Sequence, residues 1–253
     1  MSLAVVAFAW RVGTLTRGGA AAAWAVGTAV LAGTGWAGGA VVAAFFVSSN
    51  VVGRVMPSVP APGAPLDAKG ERRDPWQVLA NGGPALVGAL VEWNAPALGL
   101  WIITGSLAAA AADTWATSFG ALSRAGPRRL LMGRPVPRGA SGGMTALGTA
   151  GALVGALTVA GTGALAGGMP ALLPAGTLIG FVGMAADSLL GAVAQGRFRC
   201  PACDQASEWR VHRCGTATER QGGMQWLDND GVNLASTAFA AGAAALAWQA
   251  WFR

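Results

Sequence analysis

The chain has 253 residues, 53% of them hydrophobic and only 11% charged, with a net charge of +6. Soluble domains carry about 25% charged residues, so this composition excludes an ordinary soluble enzyme. It also excludes a nucleic-acid binder, because the basic residues sit at the ends of apolar segments rather than on one face among aromatics.

Residues 3–12 are apolar but fall short of the ~20 residues a spanning helix needs. Segments 18–32 and 36–54 follow, joined by the glycine-rich stretch 33–35. Residues 56–74 carry Pro57, Pro60, Pro62 and Pro65 and read as a loop. Helices are expected at 76–91 and 97–122, then a basic loop at 123–139. A third pair is expected at 141–160 and 172–195, then a long polar loop at 196–223 and a last span at 231–251. Trp10, Trp24, Trp36, Trp76, Trp93, Trp101, Trp248 and Trp251 mostly fall near these ends, where interfacial aromatics are expected.

Sixteen of the 17 Lys and Arg fall within 11–17, 54–73, 124–138 and 197–220, while the connections at 33–35, 92–96 and 161–174 have none. This is the alternation that the positive-inside rule produces. The expected fold is all-α: a polytopic integral membrane bundle of about seven transmembrane helices plus a short N-terminal segment. Residues 1–253 form a single transmembrane domain, with cytoplasmic loops at about 55–75, 123–140 and 196–223. The expected location is a bacterial inner membrane with the site facing the cytoplasm. Oligomeric state is left open.

Two acids interrupt apolar helices, Asp113 before Thr114 and Asp187 before Ser188. An intramembrane acid costs ~2.5–3.5 kcal/mol even on an insertion scale, which makes function the default reading. Arg124 and Arg197 follow them at similar spacing, about 15–17 Å of helix, so the acids are predicted at matching depth. Helical spacing puts Thr117 on the Asp113 face, and Gly191 and Gln195 on the Asp187 face. Such a pair could hold Mg²⁺, which takes oxygen ligands and phosphates.

Three predicted helix starts lie on the same basic side. They are the stretch from Arg72 through Gln77 and Asn81 to Gly83, the stretch from Arg138 through Ser141, Gly142 and Gly143, and the stretch from Gly222 through Asp228, Asn229 and Asp230 to Asn233. Helix N-termini bind anions, and Arg134 and Arg138 could hold phosphate oxygens. Cys200, Cys203, His212 and Cys214 include every Cys and the sole His, a set suited to structural Zn²⁺; a redox dithiol and a loop of free thiols are the alternatives. Glu208 is a candidate supporting partner.

Together these segments resemble an integral membrane family catalogued as domain of unknown function 92, which includes the plant phytyl-phosphate kinase and vertebrate transmembrane protein 19. The resemblance is carried by residues 77–82, 112–117, 141–143, 187–192 with Gln195, and the series Glu208, His212, Cys214-Gly215, Asn229-Asp230 and Val232-Asn233. It implies phosphoryl transfer from a nucleoside triphosphate such as CTP to an isoprenyl monophosphate such as phytyl or geranylgeranyl phosphate. On that reading Asp113, Asp187 and Asp230 are catalytic and hold Mg²⁺, and Ser188 joins Gln77, Asn81, Thr117, Arg134, Arg138, Ser141, Gly142, Gly143, Gln195, Asn229 and Asn233 around the substrates. Two positions depart from the family pattern: Ser118 stands where Glu is expected, and Ala140 where Thr is usual. No Walker-type phosphate loop occurs. An ion or solute transporter using the intramembrane acids, and a catalytically silent scaffold, are the competing readings.

Overall fold

The computed structural model describes residues 3–56, 72–129, 133–207 and 209–252. Most of the loop expected at 55–75 lies outside these residues, as does Glu208. Among the described residues the helices are α1 (Leu3–Arg11), α2 (Arg17–Val55), α3 (Pro75–Glu92), α4 (Leu98–Ala121), α5 (Ala146–Gly167), α6 (Leu172–Val193) and α7 (Asn229–Phe252).

Helix α2 is not one rod. Gly35 has φ 60° and ψ −145°, a backbone conformation that side chains disfavour. Ala23 and Phe46 pack in one cluster, although a straight helix would hold them ~35 Å apart. The chain therefore doubles back at Gly35, and its two arms are the paired segments expected on either side of residues 33–35. Helices α2, α5, α6 and α7 are each long and apolar enough to cross a bilayer.

Helix α4 lies inside the bundle and touches α2, α3, α5, α6 and α7. It is buried continuously from Gly99 to Ala112. A helix walled by protein has little lipid-facing surface to cover, so α4 can be built from Ala, Gly, Ser and Thr. Small residues also let the backbones approach closely. A side-chain carbon at Gly155 of α5 would fall 2.8 Å from Trp115 and 2.9 Å from the Ala111 carbonyl oxygen, and Gly151 lies as tightly against Phe119. On the α6 side, Gly176 meets Thr104, Gly180 meets Ala108 and Gly183 meets Ala109.

The far end of α4 is fastened by Glu92. The residue preceding the helix, Ala97, has φ 73° and offers no side-chain cap. Instead Glu92 Oε1 accepts from the Ala97 amide at 2.9 Å and Oε2 from the Leu100 amide at 3.1 Å. A carboxylate at a helix N-terminus is favoured by the free N–H groups and by the dipole.

The structure corrects several expectations. Residues 141–143 do not begin a helix: Gly142 has φ 75°, which an α-helix cannot use. Strand β2 (Gly143–Met144) instead pairs antiparallel with β1 (Arg128–Arg129). Helix α5 starts later, where Thr145 Oγ1 accepts from the Gly148 amide at 3.0 Å. It also runs later, to a left-handed cap at Gly168, because its Gly163 packs on Thr104. The polar loop at 196–223 contains a three-stranded antiparallel sheet in the order β4-β3-β5, built from β3 (Arg197–Cys200), β4 (Gln205–Ser207) and β5 (Glu219–Gly222). Trp101, near the start of α4, packs inside the bundle rather than on its surface. It is 1% exposed and meets Phe252 edge-on at 6.3 Å.

The glycine contacts make a stability prediction. Gly155→Leu should destabilise the bundle by about 1–3 kcal/mol or prevent its assembly. Gly242→Ala, at an open position, should be neutral or slightly stabilising. Thermal unfolding of both variants in detergent checks this.

Candidate active site

Helices α4 and α6 run in the same direction. Their glycine contacts pair Thr104 with Gly176, Ala108 with Gly180 and Ala109 with Gly183. Continued one turn further, that register brings Asp187 beside Asp113. The two carboxylates are close enough to interact electrostatically, and both side chains are half-buried. The acids predicted at one depth are therefore neighbours in space.

Helix α7 supplies a polar partner for this pair. Ser236 Oγ donates to Asp187 Oδ2 at 3.0 Å. The next residue, Thr237, donates to the Ala80 carbonyl of α3 at 2.8 Å and to the Asn233 carbonyl at 2.7 Å. Consecutive hydroxyls of α7 thus hold α6 and α3 together at the level of the acids. Asp230 and Asn233 precede Ser236 by about two turns and one turn, so they lie nearer the basic end. Asp228 Oδ1 accepts from the Gly231 amide at 2.9 Å and caps α7. Asn229 is exposed, and Asn233 is half-buried.

The turn at Ser141–Gly142 sits on α6 one turn beyond Asp187. A side chain at Gly142 would collide with the Ser188 carbonyl and with Ala192, and Gly191 faces the Gly142 amide nitrogen, the Ser141 Cβ and the Gln195 side chain. Here the missing Cβ is required by close approach as well as by the left-handed φ. Gln195, 2% exposed, ends the same face. The Met224 amide donates to Ala194 O at 2.8 Å, and the Gly196 amide to Leu227 O at 2.9 Å. These bonds stitch the approach to α7 onto the end of α6. The structure so gathers Asp113, Asp187, Ser188, Ser141, Gly142 and Gln195, with Asp230 and Asn233 alongside on α7.

Other expected site residues have different surroundings. Arg138 Nη2 donates to the Ser123 carbonyl at 2.6 Å and to the Arg124 carbonyl at 3.2 Å, and Nη1 reaches the Ala121 carbonyl at 3.5 Å. This guanidinium caps the end of α4. Arg134 is exposed in the turn after β1, and Gly143 is in β2. Thr117 is exposed. Ser118 is 8% exposed and donates to the Thr114 carbonyl at 3.0 Å. Gln77 belongs to a capping box: its Oε1 accepts from the Asp74 amide at 3.1 Å, and its own amide donates to Asp74 Oδ1 at 2.9 Å. Asn81 Nδ2 donates to the Gln77 carbonyl at 2.9 Å. The sequence reading missed Ser236 and Thr237. Their signal was present, since they follow Asn233 by three and four residues and so share its helical face.

A second cluster lies on the small sheet. Cys200 ends β3, Cys203 is in the following turn, and His212 and Cys214 come from the connection to β5. Their ligand atoms all lie within 4.8 Å of one another. Cys200 Sγ and Cys214 Sγ are 3.6 Å apart, and His212 Nδ1 is 3.0 Å from Cys214 Sγ. Tetrahedral Zn²⁺ with ~2.3 Å Zn–S bonds needs an S–S edge of ~3.8 Å, so the donor set fits. Hydrogen bonding with Thr216, and then with His212, draws the Cys214 thiol down to about 6. Hydrogen bonding with Cys214 pushes Cys203 up to about 11.

An apolar helical bundle with paired carboxylates near its basic end defines the class: a polytopic integral membrane protein. The family model described as Integral membrane protein DUF92 matches residues 1–241, and the chain belongs to that family. Protein PGR of Arabidopsis thaliana is 30% identical over 146 residues, 53% of this chain and 49% of PGR. The chain thus matches about half the length of that curated relative. No solved structure matches.

Ser236→Ala removes the hydroxyl that binds Asp187 while keeping helix propensity. It should lower stability by about 1 kcal/mol, read as a lower unfolding midpoint in detergent. Gly242→Ala serves as the unaffected control.

Proposed function

We propose that the chain is a membrane kinase that moves the terminal phosphoryl group of a nucleoside triphosphate such as CTP onto an isoprenyl monophosphate. The product is the isoprenyl diphosphate. The observation that carries this reading is the meeting of Asp113 and Asp187, from two helices at one depth, beneath the glycine turn at residues 141–142 and beside the start of α7. The basic loops face the cytoplasm on this reading, where nucleotides are found.

An oxygen of the isoprenyl phosphate attacks the terminal phosphorus. The bond from that phosphorus to the bridging oxygen breaks, and nucleoside diphosphate leaves. Such transfer needs positioning and charge neutralisation more than covalent help. A phosphate monoester loses its second proton near pH ~6, so the attacking oxygen needs no base at neutral pH. This accommodates Ser118, whose hydroxyl is engaged with its own helix. The half-buried Asp113 and Asp187, with Asp230 nearer the basic end, would hold Mg²⁺, which supplies charge neutralisation along the phosphates. The backbone at Ser141–Gly142 would approach a phosphate closely, as only a residue without Cβ allows. Cys200, Cys203, His212 and Cys214 would hold a structural Zn²⁺ that keeps the small sheet, and with it the start of α7, in place.

A transporter reading has no comparable support. Glu92, the ionisable residue of the outer connections, is engaged in capping α4.

Purified protein with Mg²⁺, geranylgeranyl monophosphate and radiolabelled CTP, ATP or GTP should yield labelled diphosphate. Asp113→Asn and Asp187→Asn should each cut the rate by about 100-fold or more. Absence of product with every nucleotide, or ion flux in liposomes without turnover, ends the kinase reading. Metal analysis should find one zinc per chain, and Cys200→Ser or Cys214→Ser should remove it. Full zinc content in both variants would refute the cluster as a metal site.

A further inference from the structure

At the basic end of the bundle, three arginines from separate parts of the chain border one open cavity. Arg11 ends α1, Arg17 begins α2, and Arg72 comes from the stretch before α3; Trp10 and Thr16 complete the lining. The cavity measures about 450 Å³ and its surface is mostly polar, a volume within the ~300–1,000 Å³ of small-ligand sites. No residue of α4, α6 or α7 lines it, so it is separate from the paired acids.

The backbone brings these residues together. Gly13, with φ 77°, follows α1, and the amide and hydroxyl of Thr14 both donate to the Ala9 carbonyl, at 3.0 and 2.8 Å. Arg54 Nη2 donates to the Val12 carbonyl at 2.8 Å. Residues 14–16 then run beside Arg73, whose amide donates to Thr14 O at 2.9 Å and whose carbonyl accepts from the Thr16 amide at 3.1 Å. That pairing lays the Arg72 guanidinium across Gly13, with Nε and Nη2 3.4 Å from where a side-chain carbon would stand. Arg17 lies over the Trp10 ring, 5.9 Å from its centroid.

The three charges have no counter-charge in the cavity wall, which contains no acid. Among the described residues, no hydrogen bond or ion pair engages the guanidinium of Arg11, Arg17 or Arg72. Asp74, two residues beyond Arg72, accepts from the Gln77 amide at 2.9 Å. Like charges around one space repel one another. Arg17 also occupies the first turn of α2, the helix end that disfavours a cation. An anion in the cavity relieves both, and guanidinium groups match phosphate oxygens.

The flank of the cavity says which anion. Helix α1 packs Val6 and Ala9 into the bundle, beside Ala23 and Phe46 of α2 and Val78 of α3. It leaves Leu3, Val5 and Phe8 exposed. Its nine residues are too few to span, so it reaches from hydrocarbon to the headgroup level, where Trp10 and Arg11 belong. A phosphate that carries acyl chains meets both surfaces; a soluble anion meets only one.

We propose that this cavity seats the headgroup of an anionic membrane phospholipid, its phosphate among Arg11, Arg17 and Arg72 and its acyl chains along the exposed side of α1. Basic pockets between membrane helices hold headgroups in this way. The proposal neither needs nor uses the kinase reading.

The test is native mass spectrometry of the full chain in a neutral detergent, with equal amounts of phosphatidylglycerol and phosphatidylcholine of the same acyl chains. The unaltered chain should retain phosphatidylglycerol in preference. Arg11→Gln, Arg17→Gln and Arg72→Gln combined should weaken phosphatidylglycerol about 30-fold or more and leave phosphatidylcholine nearly unchanged. Arg17→Gln and Arg72→Gln alone should each weaken it about fivefold, and they read the same site should the triple variant fail to fold. Lysine at all three positions should keep most of the preference, because the charge remains. Arg124→Gln, Arg128→Gln and Arg220→Gln combined, which remove the same charge elsewhere, should also keep it. A diazirine on the acyl chain of phosphatidylglycerol should label residues 3–12. Equal loss in the charge-matched control would reduce the effect to general attraction and overturn the site. Unchanged preference in the glutamine variants, a lysine variant as weak as the glutamine one, or labelling confined to other helices would overturn it too. Displacement of the lipid by an equal concentration of inorganic phosphate would overturn the choice of a lipid.

Discussion

How closely α4 approaches its neighbours governs the rest of this bundle. Lipid tails are as apolar as leucine, so helices in a membrane associate through close van der Waals packing rather than by escaping water. Glycines at residues 151 and 155 of α5, and at 176, 180 and 183 of α6, remove the atoms that would hold these backbones apart. The same contacts fix the axial register of α4 against α6. That register, rather than any property local to the acids, makes Asp113 and Asp187 neighbours.

Two carboxylates in an apolar interior are a liability unless polar groups or a cation serve them. The bundle meets this at one end only. Ser236 reaches Asp187, Thr237 ties α7 to α3, and the approach to α7 is hydrogen-bonded to the end of α6. Arg138 and Arg197 add their side chains to carbonyls at the ends of α4 and α6. The basic residues near this end therefore divide their work. Some terminate helices, which is favourable for a cation at a C-terminus. Arg73 instead lies over the Phe45 ring, 5.5 Å from its centroid.

The helices were legible in the sequence because apolar length and charge alternation are strong signals, and the doubling-back of α2 was legible from its glycines. The pairing of the acids was legible too, since equal distance to a basic loop is a direct measure of depth along a helix. Residues 141–143 misled because glycine-rich stretches serve tight turns as readily as helix starts; only the left-handed φ of Gly142 separates the two. The strands carrying Cys200 were hidden in polar, charged residues with little alternation to betray them. Arg138 read as a phosphate ligand because sequence cannot say which carbonyls a guanidinium will meet. Arg73 was passed over for the opposite reason. Next to Arg72, before a helix, it reads as one more topology signal, and its contact with Phe45 depends on the fold of α2.

Glu92 gives the end away from the basic loops a part in all this. By gripping the first amides of α4 it stops that helix from sliding along its own length. An α-helix is stiff axially, so a stop at one end sets the height of every residue on it. The altitude of Asp113 is therefore determined some 24 Å away, at the other end of α4, by a carboxylate that touches neither of the paired acids.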